Sequence, residues 1–334
     1  MKKVSILLLG VVIFACSQEQ TEVIEETPAL VLDNMDTTIN PADDFFGYVN
    51  GNWVAKTEIP GDQGRWGSFN ELREFNNDVV MDVLKKAAES GKYKEGTDQK
   101  KASDFFSVGM DSLLAESTGT APIKKFLIQI DAIEDMDGLQ KFMSMQQTYG
   151  GGAFFNFAIF QDLKNSSTMT TYLGQGGLGL PDRDYYTKTD DKSVETRDKY
   201  EVFVAQMFGL VTGEDESTAA KNATTVMAIE TKLAEASMTN VERRNIPALY
   251  NKMAISEINK ISPSFNWEQY LVDMGANNID TLIVMQPKFI EEFESIVNNT
   301  PMEDWKTYLQ WTIISIRNQW YIWALSLALF VHLP

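Results

Sequence analysis

Hydrophobic side chains recur at steps of three and four residues through most of the chain, the spacing that places them on one face of an α-helix. The pattern predicts a series of amphipathic helices whose apolar faces pack on one another. The recurring residues are Phe69, Leu72, Val79, Val80, Val83, Leu84 and Ala87, then Ala102, Phe105, Phe106, Met110, Leu113 and Leu114, then Ile123, Phe126, Leu127, Ile130 and Ile133, then Tyr200, Phe203, Val204, Met207 and Phe208, and then Val226, Met227, Leu233 and Ala234.

Three polar patterns predict where helices begin. Asn40-Pro41 is followed by two aspartates, so a helix is expected to start there with proline in its first turn. The strings S-F-N-E at 68–71 and T-P-M-E at 300–303 have the form of a capping box, in which the first and last side chains bind each other's backbone amides. Each predicts a further helix start.

The helical rhythm breaks after the glycines at 150–152. Residues 153–160 and 168–173 are rich in aromatic and β-branched side chains, and the short polar stretch 165–167 separates them. Such a pair of runs predicts a β-hairpin. The predicted fold class is therefore mainly α, a multi-helix lobe with a small β-hairpin.

Composition and charge narrow the possible functions. The 334 residues include 29 Lys and Arg against 47 Asp and Glu, which gives a net charge of −18. A field of that sign repels phosphate backbones, so nucleic acid is excluded as a partner. The chain has one Cys and one His, His332, which excludes an internal disulfide framework and every multi-histidine metal site.

The first residues form a targeting signal. Lys2 and Lys3 precede an apolar run over residues 4–14 that is too short to span a bilayer, which predicts a signal peptide. The run leads into I-F-A-C, which resembles the lipobox of bacterial lipoproteins and places the lipidated cysteine at Cys16. We therefore predict a lipoprotein signal peptide at 1–15; ordinary cleavage beside an incidental cysteine is the alternative.

Residues 16–36 are acidic and lack aromatic side chains, a composition typical of a flexible linker. A lipidated Cys16 would attach the chain to a membrane without a transmembrane helix. The expected location is the bacterial cell envelope, with the lipid-anchored chain periplasmic or surface-exposed.

Three polar segments suggest chemistry, and each has a simpler interpretation. Asp182-Arg183-Asp184 offers the paired carboxylates of a glycoside hydrolase, although after Pro181 it also fits an ordinary turn with a charge pair. The glycines at 174–179 could cradle a phosphate, but no Lys-Ser or Lys-Thr follows them, which favours a tight structural loop. The charged run at 242–244 fits a solvated face or a buried ion pair.

Several short strings occur in a fixed order along residues 37–312. They are Asp44-Phe45-Phe46 with Tyr48, Asn50-Gly51, Trp53 and Ile59-Pro60, then Arg65-Trp66-Gly67-Ser68-Phe69, then the string G-L-G-L-P-D-R-D-Y-Y at 177–186, then Glu230 with Leu233-Ala234, Glu242-Arg243-Arg244, Tyr250-Asn251 and Met253, and finally Asp304-Trp305 with Tyr308-Leu309. Together they resemble the amino-terminal half of the neprilysin-like zinc metallopeptidases, the family that includes neprilysin and the endothelin-converting enzymes.

The resemblance implies that residues 37–312 are a peptidase amino-terminal domain, with helical parts of the catalytic lobe and most of a second lobe that admits only short peptides. Intact members hold zinc with an H-E-x-x-H helix and a downstream glutamate, and this sequence contains no such motif. The expectation is therefore a zinc metalloendopeptidase truncated before its catalytic motif. Zinc and short peptides belong to the intact enzyme, and this chain has no catalytic residue, no metal ligand and no activity alone.

One substrate contact follows from the same resemblance. Arg65 matches the arginine that contacts the terminal carboxylate of the substrate in neprilysin, and a guanidinium offers paired donors to that group. Asn70 stands where the family has an acid, so the local charge network differs. A structural surface role for Arg65 is the alternative.

The resemblance ends at Thr312, and no charged residue follows Arg317. Residues 313–334 are therefore interpreted as an atypical hydrophobic tail that a frameshift, a premature stop or a wrongly assigned reading frame would produce. A short hydrophobic helix packed on the core and a divergent carboxyl end are the alternatives. Two other functions stay open, a non-catalytic peptide-binding surface lipoprotein and a glycan-binding one.

Overall fold

The computed structural model describes residues 30–61, 63–149 and 151–315. Its contacts divide the chain into two compact units, one up to Ser103 and one from Asp104. Both are mainly helical, so the predicted fold class is confirmed. The predicted signal peptide, the lipidation site Cys16 and residues 316–334 of the tail lie outside the described residues.

The first unit contains helix α1 (Phe45–Lys56), helix α2 (Ser68–Ser90) and the start of α3 (Asp98–Gly109). The expected start of α1 at Asn40-Pro41 is wrong, because the Asn40 side chain accepts from the Ala42 amide in a turn. Asp44 caps the helix instead, its Oδ1 accepting from the Gly47 amide at 2.8 Å.

The capping box expected at 68–71 is also absent, although α2 does begin at Ser68. Gly67 occupies the cap position and makes no side-chain hydrogen bond. The Glu71 carboxylate accepts from the Trp53 indole nitrogen at 3.2 Å, so it ties α2 to α1 rather than closing its own helix end.

Helix α2 carries the predicted apolar face, but that face is exposed. None of the hydrophobic side chains described between residues 30 and 103 is buried. The exposed members on α2 are Phe69, Leu72, Phe75, Val79, Val80 and Val83. The first unit therefore has no hydrophobic core among its described residues.

The second unit holds the core. After α3 its helices are α4 (Ser112–Thr118), α5 (Ala121–Asp131), α6 (Met136–Thr148), α7 (Asp184–Thr187), α8 (Asp191–Thr212), α9 (Glu216–Ala236), α10 (Ile255–Ile261), α11 (Trp267–Asp273), α12 (Pro287–Asn298) and α13 (302–315). Of these described helices and the three before them, none is both long enough and apolar enough to cross a membrane.

The predicted hairpin is confirmed and belongs to a four-stranded sheet. Its strands are β1 (Phe155–Asp162) and β2 (Asn165–Gln175), so the turn lies two residues before the predicted separator. The short strands β3 (Lys252–Ala254) and β4 (Thr281–Val284) complete the order β1-β2-β4-β3. β4 runs parallel to β2 and antiparallel to β3.

Aromatic side chains dominate the core beside this sheet. Phe154 is fully buried, and its ring centroid lies 4.7 Å from that of Trp305, 5.0 Å from Tyr308 and 5.6 Å from Phe293. The other large buried rings are Phe155, Phe208, Phe265, Trp267, Tyr270 and Phe289. This cluster joins the sheet to α11, α12 and α13.

Helix α13 continues beyond the expected boundary at residue 312. Ile313 and Ile314 are buried in the core, and the Thr312 hydroxyl accepts from the Gln146 amide at 3.0 Å. The packed part of the second unit thus includes residues 313–315. The capping box expected at the start of α13 is wrong, since no described residue binds the buried Thr300 hydroxyl.

Candidate functional site at the glycine-rich loop

Residues 176–183, here called the glycine-rich loop, connect β2 to α7 through a tight path. Gly177 has φ +81°, and a Cβ there would lie 2.8 Å from the Ala153 carbonyl oxygen. The Tyr308 hydroxyl lies 2.6 Å from the Ala153 carbonyl oxygen and 2.8 Å from that of Gly177, and shares its proton between them. The prediction of a tight structural loop is confirmed.

Asp182 and Asp184, at the junction of the loop and α7, form a turn. One Asp182 carboxylate oxygen accepts from the Asp184 amide and the other from the Asn240 side chain, each at 2.8 Å. The Asp184 carboxylate pairs with Lys188 at 2.9 Å. The turn of the simpler interpretation is therefore present, but the charge pair is Asp184 with Lys188, because Arg183 binds the Ala234 carbonyl instead.

A buried carboxylate, Glu230 of α9, lies beside the loop and accepts hydrogen bonds from two tyrosines. Its side chain is only 1% exposed. The Tyr186 hydroxyl donates to Oε2 at 2.6 Å, and the Tyr200 hydroxyl donates to Oε1 at 3.1 Å. Helices α7 and α8 therefore meet on one side chain, and Gly179 of the loop lies beside it, where an added Cβ would be 3.1 Å from Oε1.

Each tyrosine accepts a hydrogen bond as well as donating one. The Leu180 amide donates to the Tyr186 hydroxyl at 2.8 Å, and the Trp311 indole nitrogen donates to the Tyr200 hydroxyl at 3.1 Å. Two relays therefore end on Glu230, one from the loop and one from α13. Bonds in such a chain polarise and strengthen one another.

Burial and hydrogen bonding shift the pKa of Glu230 in opposite directions. Burial raises the pKa of Glu230 from 4.5 to about 7, and the hydrogen bonds from Tyr186 and Tyr200 limit the rise. None of the ion pairs between described residues includes Glu230. It is therefore a buried acid that can change its charge near neutral pH.

A cavity of about 350 Å³ lies over this network. We call it the loop cavity; its walls are the glycine-rich loop, Glu230, segment 237–243 and α13. The charged side chains on its walls besides Glu230 are Asp182, Arg183 and Arg243. The Nε of Arg183 donates to the Ala234 carbonyl at 3.2 Å, which fixes that guanidinium against the end of α9.

The described residues do not fit a zinc site. They contain no histidine and no cysteine, because the single residues of each kind lie at positions 332 and 16. Within the described ranges, no three acidic side chains come close enough to share a metal ion. Zinc sites in proteins are built from Cys, His and carboxylate ligands, and this part of the chain brings no such set together.

The remaining sequence-predicted site residues are Arg65 in the first unit and the charged run 242–244 in the second, of which Arg243 lines the loop cavity. Arg65 is exposed in the first unit, three residues before α2, and takes part in none of the ion pairs between described residues. Residues 242–244 form an exposed 3₁₀ turn, in which the Glu242 carboxylate accepts from the Thr239 amide at 2.7 Å. That run is a solvated face.

The role of Glu230 escaped sequence reasoning, although the sequence contained a signal for it. Glu230 lies four residues after Val226 and three before Leu233, so it interrupts the apolar face of α9. A carboxylate in that position must be paired, hydrogen-bonded or neutral. Only the structure shows that its partners come from α7 and α8.

Comparison with known proteins places these features in a family. The profile of peptidase family M13 matches residues 41–322. Endothelin-converting enzyme 1 of Mus musculus is 26% identical over 88% of this chain and 39% of its own length. Neprilysin-3 of Drosophila melanogaster is 27% identical over 80% of this chain and 36% of its own.

A solved structure shares the fold. The zinc metalloprotease Zmp1 of Mycobacterium tuberculosis, in complex with an inhibitor, matches with a TM-score of 0.80 and 31% identity over 87% of this chain and 44% of its own. The chain thus spans about two fifths of the length of the relatives it matches. The matched residues include the glycine-rich loop, Glu230 and most of the described helices, and the chain belongs to peptidase family M13, as an amino-terminal part of the neprilysin-like fold.

Proposed function

We propose that this chain supplies the amino-terminal, substrate-restricting part of a zinc metalloendopeptidase that hydrolyses short peptides. The observation that carries the proposal is the family match over residues 41–322 together with the fold shared with Zmp1 of Mycobacterium tuberculosis. In this proposal, the zinc ligands and the groups that activate water lie in the part of the intact relatives that this chain does not match. The chain alone is inactive.

The first prediction tests whether the chain by itself lacks zinc and peptidase activity. The purified chain is expected to bind no stoichiometric zinc and to cleave no fluorogenic peptide, because a catalytic zinc needs three protein ligands and the described residues offer no such set. Elemental analysis and a peptide-cleavage assay with and without added zinc are the measurements. Bound zinc at one per chain with chelator-sensitive cleavage would show that the chain is a peptidase by itself.

Arg65 is the proposed contact to the terminal carboxylate of the peptide. Its exposure and the absence of an ion pair within the described residues leave the guanidinium accessible. When a zinc-bearing carboxyl-terminal half of a related peptidase is co-expressed with this chain, Arg65→Met is expected to reduce the preference for free-acid over amidated peptides about tenfold in kcat/KM. Cleavage of the amidated peptides should change little.

A matched control lies on the neighbouring helix. Arg73 is also exposed, but it pairs with Glu74 at 3.5 Å and binds Gln63, so Arg73→Met should leave the acid preference unchanged. Equal losses on acid and amide substrates in the Arg65 variant would mark Arg65 as structural.

We also propose that the mature chain is anchored to the cell envelope through lipid on Cys16. The support is the order of Lys2, Lys3, the apolar run and the cysteine. Intact-mass spectrometry of the membrane fraction is expected to show a chain that begins at Cys16 and carries two or three acyl groups. Cys16→Ser should release the chain from that fraction, and an unmodified Cys16 in membrane-bound protein would contradict the proposal.

A further inference from the structure

Helix α2 presents an apolar face that the described residues leave open to solvent. The face consists of Phe69, Leu72, Val79, Val80 and Val83, here called the α2 stripe. At about 100° of rotation per residue these side chains fall within a sector about 100° wide. Each of them is between 46% and 90% exposed. A stripe of this width is typical of a helix that faces a hydrophobic core.

The described part of the first unit supplies no core for this face. None of the hydrophobic side chains described between residues 30 and 103 is buried. Two polar contacts tie α2 to earlier residues: the Trp53 indole nitrogen donates to the Glu71 carboxylate, and the Arg73 guanidinium donates to the Gln63 side chain, each at 3.2 Å. A helix in water gains most of its stability from the packing of its apolar face, so α2 requires an apolar partner.

We propose that the α2 stripe is the docking surface for the zinc-bearing polypeptide that the relatives carry in the part this chain does not match. The inference rests on the proposed function, and it names the partner and the surface that binds it. This chain spans 39% of endothelin-converting enzyme 1 of Mus musculus and 44% of Zmp1. More than half of each relative therefore remains to cover the stripe, which extends about 21 Å at 1.5 Å per residue.

Charge disfavours two other ways of covering the stripe. Helix α2 carries five acidic and three basic side chains, whereas helices that lie on anionic membranes are rich in Lys and Arg. A second copy of the chain would bring together two molecules that each have a net charge of −18. The charge therefore favours a partner with a different sequence.

Co-expression tests the surface in the full chain. The probe is the carboxyl-terminal part of Zmp1 that this chain does not match, and the measurement is the amount of it that co-purifies with the affinity-tagged chain. Val79→Glu and Val83→Glu are each expected to reduce that amount at least about tenfold, because docking would bury an unpaired carboxylate. Glutamate forms helices at least as readily as valine, so both variants should keep the circular dichroism of the original chain.

Asn77→Glu is the matched control on the same helix. Asn77 is exposed and lies about 60° outside the stripe, and the substitution adds the same charge as the valine variants. It should leave co-purification unchanged within about twofold. Equal losses in the Asn77 and Val79 variants, or no complex with the original chain, would overturn the proposal.

Hydrogen exchange and light scattering identify what covers the stripe. The amides of residues 72–83 should exchange at least about tenfold more slowly in the complex than in the chain alone, and the chain alone should be a monomer. Equal protection of these amides in the monomeric chain would show that its own residues cover the stripe. A dimer that Val79→Glu dissociates would show that a second copy covers it. Either result would overturn the proposal.

Peptide cleavage separates this proposal from the proposed function. A complex that requires Val79 and Val83 but cleaves no fluorogenic peptide in the presence of zinc would support the docking surface and contradict the proposed function. A complex that cleaves peptides and forms equally well with Val79→Glu and Val83→Glu would contradict the docking surface alone.

Discussion

Phe154→Ala is expected to lower the free energy of unfolding of the second unit by about 3–5 kcal/mol. The Phe154 ring is fully buried and contacts the rings of Trp305, Tyr308 and Phe293. Truncation would remove buried apolar area and leave a cavity that those rigid neighbours cannot fill. Urea unfolding followed by far-ultraviolet circular dichroism would measure the change.

A phenylalanine of the first unit provides the control. Phe69 is 90% exposed on α2, so Phe69→Ala should change stability by no more than about 0.5 kcal/mol. A loss below about 1 kcal/mol in the Phe154 variant would show that the aromatic cluster is not the core that the structure describes.

The second large effect is a fall in stability as the pH rises from 5 to 8. Burial raises the pKa of Glu230 from 4.5 to about 7. The folded state therefore holds a proton that the unfolded chain has released, and the stabilisation from this proton is complete below the unfolded pKa and lost as pH rises through the folded one. The expected loss is about 2–3 kcal/mol in the free energy of unfolding.

The exposed acids of the second unit do not reverse this trend. Hydrogen bonds from Ser193 lower the pKa of Asp190, and hydrogen bonds from Thr218 lower that of Asp215. Their contributions are present above the unfolded pKa and are lost only in more acidic solution. Urea unfolding at several pH values should thus show a slope for the original chain and for Glu235→Gln but little slope for Glu230→Gln; parallel slopes would exclude Glu230 as the source.

Local sequence patterns predicted the elements that a short window can contain. The hairpin was predictable because β1 and β2 are adjacent and eight and eleven residues long. Strands β3 and β4 have three and four residues, too few to display a period of two. The parallel pairing of Leu173 with Val284 joins distant parts of the chain, and no local pattern encodes such a contact.

The errors at helix starts share a physical cause. A polar side chain in a cap motif has more than one possible partner, and tertiary contacts decide between them. Asn40 binds a turn amide, Glu71 binds Trp53, and Thr300 binds none of the described residues. The helices themselves were predictable because their apolar periodicity depends on many residues.

The candidate site was predictable only in part. The density of glycines before Pro181 indicated a tight loop, since each glycine permits a close approach that a Cβ would block. The network around Glu230 was not predictable, because Tyr186, Tyr200 and Trp311 come from three different helices. Burial raises the pKa only after these helices have packed.

Helix α13 contacts residues that lie much earlier in the chain, and this affects the order of folding during synthesis. Tyr308 binds the Ala153 carbonyl 155 residues earlier in the chain, and Thr312 binds Gln146 across 166 residues. A nascent chain emerges from its amino terminus, so β1, β2 and the glycine-rich loop are made long before the helix that completes their packing. Until α13 has been synthesised, Phe154 lacks the Trp305 and Tyr308 rings that pack on it and stays open to aggregation. The core around Phe154 is thus expected to be complete only after α13 has been synthesised.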